Sequence, residues 1–327
     1  MKKQIYSILA ILVALALPHA ALAEGERVAV IFDPADAVQA QVAEKAEALS
    51  EVYGYSLTVL ECTDDEQWQS RFAVAAEEEC DLVIGAGAQA AGPAAEQAEA
   101  HHERTAFAVI DADAGSEFVC SYRFRDDQSA CLVGLLAARA LPDATAFGYI
   151  GKKPEQDAAA LAGFSAGVRS ASPDAQILDA WASGDEEARE QALALRDAGC
   201  RFILAADGCE GAFAAALESA GQGASFYVAG RGSDATRQDN PWILTSQLKN
   251  AGVIASVVID HFYAGTLEGG LTVLDLASGA IGASHVTSAG NFRSEAVLTD
   301  DVLAACRNDV DRILAGEIEG LEGGTPE

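Results

Sequence analysis

The chain has 327 residues, half of them apolar, and a formal net charge of −29. That apolar share supports a large buried core and excludes intrinsic disorder, and the length suits one large domain or two lobes. So acidic a surface repels polyanions, which excludes nucleic acid and anionic lipid as partners.

The amino terminus reads as an export signal. Lys2 and Lys3 precede an apolar run from Ile5 to Leu17, and Ala21-Leu22-Ala23 supplies a small-residue cleavage pattern before Glu24. Residues 1–23 are therefore set apart from the fold, and the mature protein is expected in the periplasm or outside the cell. Retention as an anchor is the alternative, although the run is short for a bilayer span. No cysteine follows the cleavage pattern, so no lipid-attachment site is read.

Export bears on the seven cysteines. In an oxidising compartment some could pair, but an odd number leaves at least one free or bonded to another chain. Cys200 and Cys209 flank the run RFILAAD. As the ends of a strand they would lie roughly 20 Å apart or more, beyond disulfide reach. No C-x-x-C and no zinc spacing occurs, and most of the thiols, such as Cys80 and Cys200, read as small core residues.

From Arg27 onward strands and helices alternate. RVAVIFD, SLTVLEC, CDLVIGA, TAFAVID and EFVCSYRF read as strands, with AVQAQVAEKAEALSEVYG, DEQWQSRFAVAAEEE and PAAEQAEAHHE as helices between them. The helix DDQSACLVGLLAARAL follows, and the pattern restarts: ATAFGYIG, QILDAWA, RFILAAD, SFYVAG and WILTSQL are strands. The fold class is α/β, two-lobed, each lobe a parallel doubly wound sheet covered by helices. The halves echo each other. EEECDLVIGAGAQAAGPAAEQA aligns with DAGCRFILAADGCEGAFAAALE, each around the third strand of its lobe. The first lobe is expected over 24–122 with a return at 247–266. The second is expected over 123–246 and 267–327, ending in an acidic, Gly-rich tail that frays.

Two motifs suggest enzymes. Gly85-Ala86-Gly87-Ala88-Gln89-Ala90 fits G-x-G-x-x-A, and the next apolar run ends on Asp111, where a dinucleotide fold keeps its ribose acid. The loop, however, follows a third strand, and Pro93 puts the helix start several residues past Gly87. Gly85 and Gly87 are read instead as letting the backbone approach a ligand. Gly163-Phe164-Ser165-Ala166-Gly167 fits G-x-S-x-G, but lies inside a helical stretch, not at a strained turn. Neither an oxidoreductase nor a hydrolase has a coherent catalytic set. His101 and His102 close a helix and have no partners at metal spacing. No cofactor and no metal are read.

Open α/β sheets bind ligands beyond the carboxyl ends of their strands. Asp33 and Asp111 end the first and fourth strands, where each is either a hydroxyl acceptor or a helix cap. Asp207 ends the matching strand of the second half. Lys152 and Lys153 follow that half's first strand, as a solvated loop or as a grip on a carboxylate or phosphate. Trp242 stands near Asp234 but reads mainly as core.

From about residue 117 to 286 the chain resembles the basic membrane protein family of substrate-binding proteins. The resemblance rests on FVCSYRFRDDQSACLVGLLAARA, FGYIGKKPEQDAAALAGFSAGV, ADGCEGAF, VAGRGSDA, LTSQLKNAGV and GTLEGGLTVLDLASGAIGAS, in that order. It implies an exported, two-lobed, type I periplasmic-binding fold serving an ABC importer, in a family several of whose members bind purine nucleosides. It also implies binding roles for Asp234 and Lys249. The departures fall at the site. FDPADAVQAQ keeps Asp33 but lacks the family's stacking Phe and its Asn. GAGA lacks an aromatic that the family carries, and Gly232-Ser233-Asp234 keeps only the second of two aspartates.

The expectation is a monomeric solute-binding protein. Its ligand is a polar small molecule, nucleoside or nucleoside-like, held by Asp33, Gly85, Gly87, Asp111, Asp207, Asp234, Lys249 and Lys152. Its partners are an ABC permease and ATPase. An extracytoplasmic sensor signalling to a membrane receptor is the alternative.

Overall fold

A computed structural model describes residues 25–291 and 293–321, so the export signal read at 1–23 lies outside the described residues. Strand β1 (Arg27–Phe32) buries Val28 to Ile31 completely. A strand with no polar alternation needs cover on both faces, and helices supply it. The first half continues as α1 (Ala37–Tyr53), β2 (Ser56–Glu61), α2 (Asp65–Glu77), β3 (Leu82–Ala86), α3 (Ala91–His101), β4 (Ala106–Ile110) and β5 (Val119–Phe124). The second half repeats the plan with α4 (Asp126–Ala140), β6 (Ala146–Gly151), α5 (Pro154–Ala171), β7 (Gln176–Trp181), α6 (Asp185–Asp197), β8 (Phe202–Ala205), α7 (Gly211–Gly221), β9 (Tyr227–Gly232) and β10 (Ile243–Lys249). The chain ends with α8 (Ala251–Ala264), β11 (Gly270–Leu274), β12 (Ile281–Ala283) and α9 (Asp300–Leu314).

Two six-stranded sheets result, ordered β11-β5-β4-β3-β1-β2 and β12-β10-β9-β8-β6-β7. Every pairing is parallel except β10 with β12. This is the two-lobed type I periplasmic-binding architecture, and β3 and β8 hold equivalent places in it. The chain passes between the sheets three times: from β5 to α4, from β10 to α8, and after β11. The passages correct the boundaries read from sequence. Gln247 to Lys249 remain in the second sheet, paired with β12, whereas β11 joins the first sheet beside β5. The physical reason is that a parallel strand needs a helical crossover, and α8, packed on α1, provides it for β11.

The tail also departs from expectation. Ile318, two residues past Gly316, is buried in the core, so the chain stays attached through the described end at Leu321. Among the described residues no helix is long and apolar enough to cross a membrane.

All seven cysteines are buried free thiols, so none of the pairings left open by the sequence is made. Burial pushes each thiol up, to about 11 at Cys62 and Cys200 and about 12 at Cys131, Cys209 and Cys306. A thiolate is the reactive species, so these groups are inert. Ellman's reagent at neutral pH is expected to find almost no thiol in the native protein and all seven after denaturation.

Candidate ligand-binding cleft

The carboxyl ends of the two sheets face each other across a cavity of about 360 Å³. Its walls alternate between lobes. Asp33, Asp36 and Gln39 come from the turn after β1 and the start of α1. Gly87 follows β3, and Asp111 follows β4. From the other side come Asp126, Lys152, Asp157, Asp207, Arg231 and Lys249. A larger cavity of about 720 Å³ lies between α5 and residues 317–320. That one is away from both sets of strand ends, and among the described residues no buried ion pairs converge on it.

A chain of charges forms the floor. Lys249 Nζ lies 2.8 Å from Asp111 Oδ2 and 2.8 Å from Asp126 Oδ2, and it sits 5.6 Å over the Phe124 ring. Arg231 Nη2 lies 3.5 Å from the same Asp126 oxygen. Arg231 Nη1 pairs with Asp157 and donates to Tyr149 Oη at 2.9 Å. Asp157 is 5% exposed and accepts two backbone amides, from Lys152 at 2.8 Å and Lys153 at 3.2 Å. Buried charges persist only when paired in this way.

The environment sets the protonation states. Burial works against the charge on Lys249 and Arg231, but the carboxylates around them, with Tyr149 beside Arg231, outweigh it and hold both cations protonated. Burial pushes the Asp111 carboxyl up; Lys249 opposes and Asp126 reinforces the shift. At Asp157 burial also raises, but Arg231 and the two amides win and hold the carboxyl below the usual range. Among the described residues two floor atoms are buried without a partner: Asp126 Oδ1, an acceptor, and Arg231 Nε, a donor.

Backbone geometry shapes the other wall. Asp36, rather than Asp33, caps α1, accepting from Val38 N and Gln39 N at 3.0 Å each. Asp33 Oδ1 instead closes its own turn on Ala35 N at 2.9 Å. Gln39 Oε1 accepts from Asp33 N at 2.8 Å, which fixes the turn. Gly87 makes room for this: with φ of 90°, a Cβ there would sit 2.4 Å from Gln39 Nε2. Asp111 holds a φ of 66°, a region that a residue with a Cβ seldom occupies and that recurs at functional sites.

Over residues 32–318 the sequence matches the family described as "Bmp: ABC transporter substrate-binding protein PnrA-like". The chain belongs to that family. The match reaches back to Phe32, across the stretch where few motifs are legible. No match was found among curated proteins. Among solved structures it is similar to an ABC transporter solute-binding protein from Aeropyrum pernix K1 (21% identity, 89% of this chain and 92% of that one, TM-score 0.77). It is also similar to a solute-binding protein from Conexibacter woesei DSM 14684 (22% identity, 90% and 98%, TM-score 0.68). A third, from Agrobacterium vitis and bound with alpha-D-tagatopyranose, shares 16% identity over 86% and 98% of the two chains, with a TM-score of 0.65.

In this PnrA-like protein the cleft gathers Asp33, Gly87, Asp111, Asp207, Lys152 and Lys249. Two candidates lie elsewhere. A Cβ on Gly85 would meet Ala90 Cβ and Phe72 Cζ at 2.6 Å each, so Gly85 faces the core behind the sheet. Asp234 does not line the cavity. It accepts from Ser284 Oγ at 2.7 Å, Thr236 Oγ1 at 2.6 Å and Asn291 Nδ2 at 3.2 Å, fastening the loop after β12. Burial raises its carboxyl, and the Thr236 and Ser284 hydroxyls, the Thr236 amide and Arg237 more than reverse the effect. Trp242 packs on Tyr227, away from the cleft. His102 stacks on Phe118, and no metal-binding group occurs among the described residues.

Sequence reasoning missed Asp36, Asp126, Asp157 and Arg231. Arg231 lies within VAGRGSDA, and one signal was available: it stands one residue before the carboxyl end of β9, much as Asp111 directly follows β4. Asp126 and Asp157 sit in the first turns of α4 and α5, where an acid reads as dipole compensation. Family membership implies a small solute and an ABC permease as partners.

Proposed function

We propose that this protein is an exported, monomeric receptor that captures a hydroxyl-rich solute, neutral or cationic, of the nucleoside or sugar type, and presents it to an ABC importer. The lining carries the reading. Among the described residues it contains six carboxylates, three cations and no aromatic side chain. A nucleobase held by stacking needs a ring face, and the described lining offers none. A sugar or ribose ring needs paired acceptors and donors. Asp111 and Asp126 supply acceptors, Lys249 and Arg231 supply donors, and the spare Asp126 oxygen and Arg231 Nε are of the required kinds. The volume, about 360 Å³, is at the small end for ligand pockets.

The charge balance disfavours an anionic solute. Lys152 lines the cleft but Lys153 does not, so the lysine pair read from sequence splits. Capture proceeds by closure of the lobes over the bound solute.

A thermal-shift panel of nucleosides, free pentoses and hexoses, amino sugars and sugar phosphates tests this. A solute at 100 times its Kd stabilises by about 2.7 kcal/mol. A raised Tm is expected with a neutral or amino-bearing hydroxylated solute. A response confined to the phosphates would overturn the reading.

A further inference from the structure

We propose that Asp207 is a latch between the lobes, docking its carboxylate on the amino terminus of α1 so that closure takes up a proton. The proposal rests on the two-lobed receptor reading above, and it concerns what holds the cleft shut rather than what fills it.

The contact crosses the cleft. Ala37 N donates to Asp207 Oδ2 at 3.1 Å, joining residues 170 apart in sequence. Ala37 is the first residue of α1, so its amide has no acceptor within the helix. The next two amides, of Val38 and Gln39, are taken by the Asp36 cap. The first turn of α1 is thus satisfied by its own cap and by one carboxylate from the opposite lobe. Beside this bond the lobes are in van der Waals contact. A Cβ on Gly232, which ends β9, would lie 2.7 Å from Val38 Cγ2. Opening the cleft breaks both contacts and returns Asp207 to water.

The latch lies among charges. Asp36 approaches it from α1, Glu210 from the start of α7, and Lys152 from the loop after β6. Burial and the Asp36 carboxylate push Asp207 up to about 6; Glu210 adds to the shift, and the Ala37 amide and Lys152 oppose it. A solvated aspartate titrates near ~3.9. A group whose value rises on closure binds a proton as the lobes close. The closed form is therefore favoured as pH falls through about 6 and is weakest above it. Protonation does not cost the latch its bond, because the carboxyl still offers an oxygen to Ala37 N–H while the repulsion from Asp36 disappears. Between about pH 8 and about pH 5 the closed-to-open ratio is expected to rise roughly tenfold.

Small-angle scattering of the full chain without solute, across that pH range, reads closure directly. The Asp111 carboxyl also titrates upward, so the decisive quantity is the difference between wild type and Asp207→Asn, which keeps an acceptor oxygen but cannot titrate. The radius of gyration of the wild type is expected to fall on acidification, whereas Asp207→Asn should stay compact at neutral pH with most of that fall removed. Asp207→Ala, which loses the acceptor, should be more open than Asp207→Asn at every pH. The full wild-type pH response persisting in Asp207→Asn would overturn the proposal. So would Asp207→Ala remaining as compact as Asp207→Asn. If the alanine variant does not fold, the asparagine comparison still decides. No solute enters this experiment, so its failure leaves the receptor reading intact, and a silent solute panel leaves the latch intact.

Discussion

Lys249→Met is expected to destabilise the protein by about 3–5 kcal/mol, the range for removing one partner of a buried ion pair. The side chain of Lys249 is 10% exposed and neutralises two carboxylates at once, Asp111 and Asp126, each 2.8 Å away. Methionine fills much of the same volume, so lost packing is a small part of the effect. What remains is a pair of aspartates facing each other across the passage from one lobe to the other, with Arg231 left to serve Asp126. Asp111 also gives up the contact that helps hold its backbone at a φ of 66°.

The sign of the pH dependence separates charge from packing. Without Lys249 the Asp111 carboxyl, already pushed up by burial, rises further. A group raised above its unfolded value carries its penalty at high pH and loses it as pH falls through the folded value. The deficit relative to wild type, measured by urea titration, should therefore be largest at neutral pH and shrink on acidification. A deficit independent of pH would assign the effect to packing, and an unchanged midpoint would mean that the ion pair carries no net weight.

The fold was legible because its signals are local and repeated. Central strands covered on both faces read as unbroken apolar runs, and β1, β3, β4, β6 and β8 all do. The elements after β10 were harder. The helix α8 is apolar nearly throughout, with no flanking polar face to mark its period, and β11 is a half-buried edge strand whose membership depends on a crossover. The boundary error at 247–266 follows from that.

The cleft was half legible for a related reason. Asp33, Asp111 and Asp207 were found because each terminates an apolar run, so the strand marks its own carboxyl end. Asp126 and Asp157 open helices, and nothing in a single sequence separates an acid that caps a dipole from one that grips Arg231 across the fold. Asp234 shows the converse. The family pattern marks it, but its side chain fastens Ser284 and Asn291 rather than facing the cleft.

The G-x-S-x-G stretch supplies the second large effect. Gly167→Val is expected to cost about 3 kcal/mol or more, at the upper end of overpacking. A Cβ at Gly167 would stand 2.1 Å from Cys131 O, and one at Gly163 would stand 2.0 Å from Asp127 O. Both obstacles are backbone atoms of α4, so no rotamer change relieves them and α5 must move away as a body. Gly134 repeats the arrangement from α4, with Phe164 O at 2.4 Å. Ser165→Ala, between the two glycines, is expected to change stability by less than about 1 kcal/mol. In a nucleophile elbow the serine would be the sensitive residue; here the glycines are, because they let two helices meet at backbone distance. The consequence reaches the cleft. Asp126 begins α4 and Asp157 lies in the first turn of α5, and Arg231 is held between them. Gly167→Val, by separating the helices, should therefore weaken solute binding as well as lower the urea midpoint. Ser165→Ala should leave solute binding unchanged and shift the midpoint only slightly.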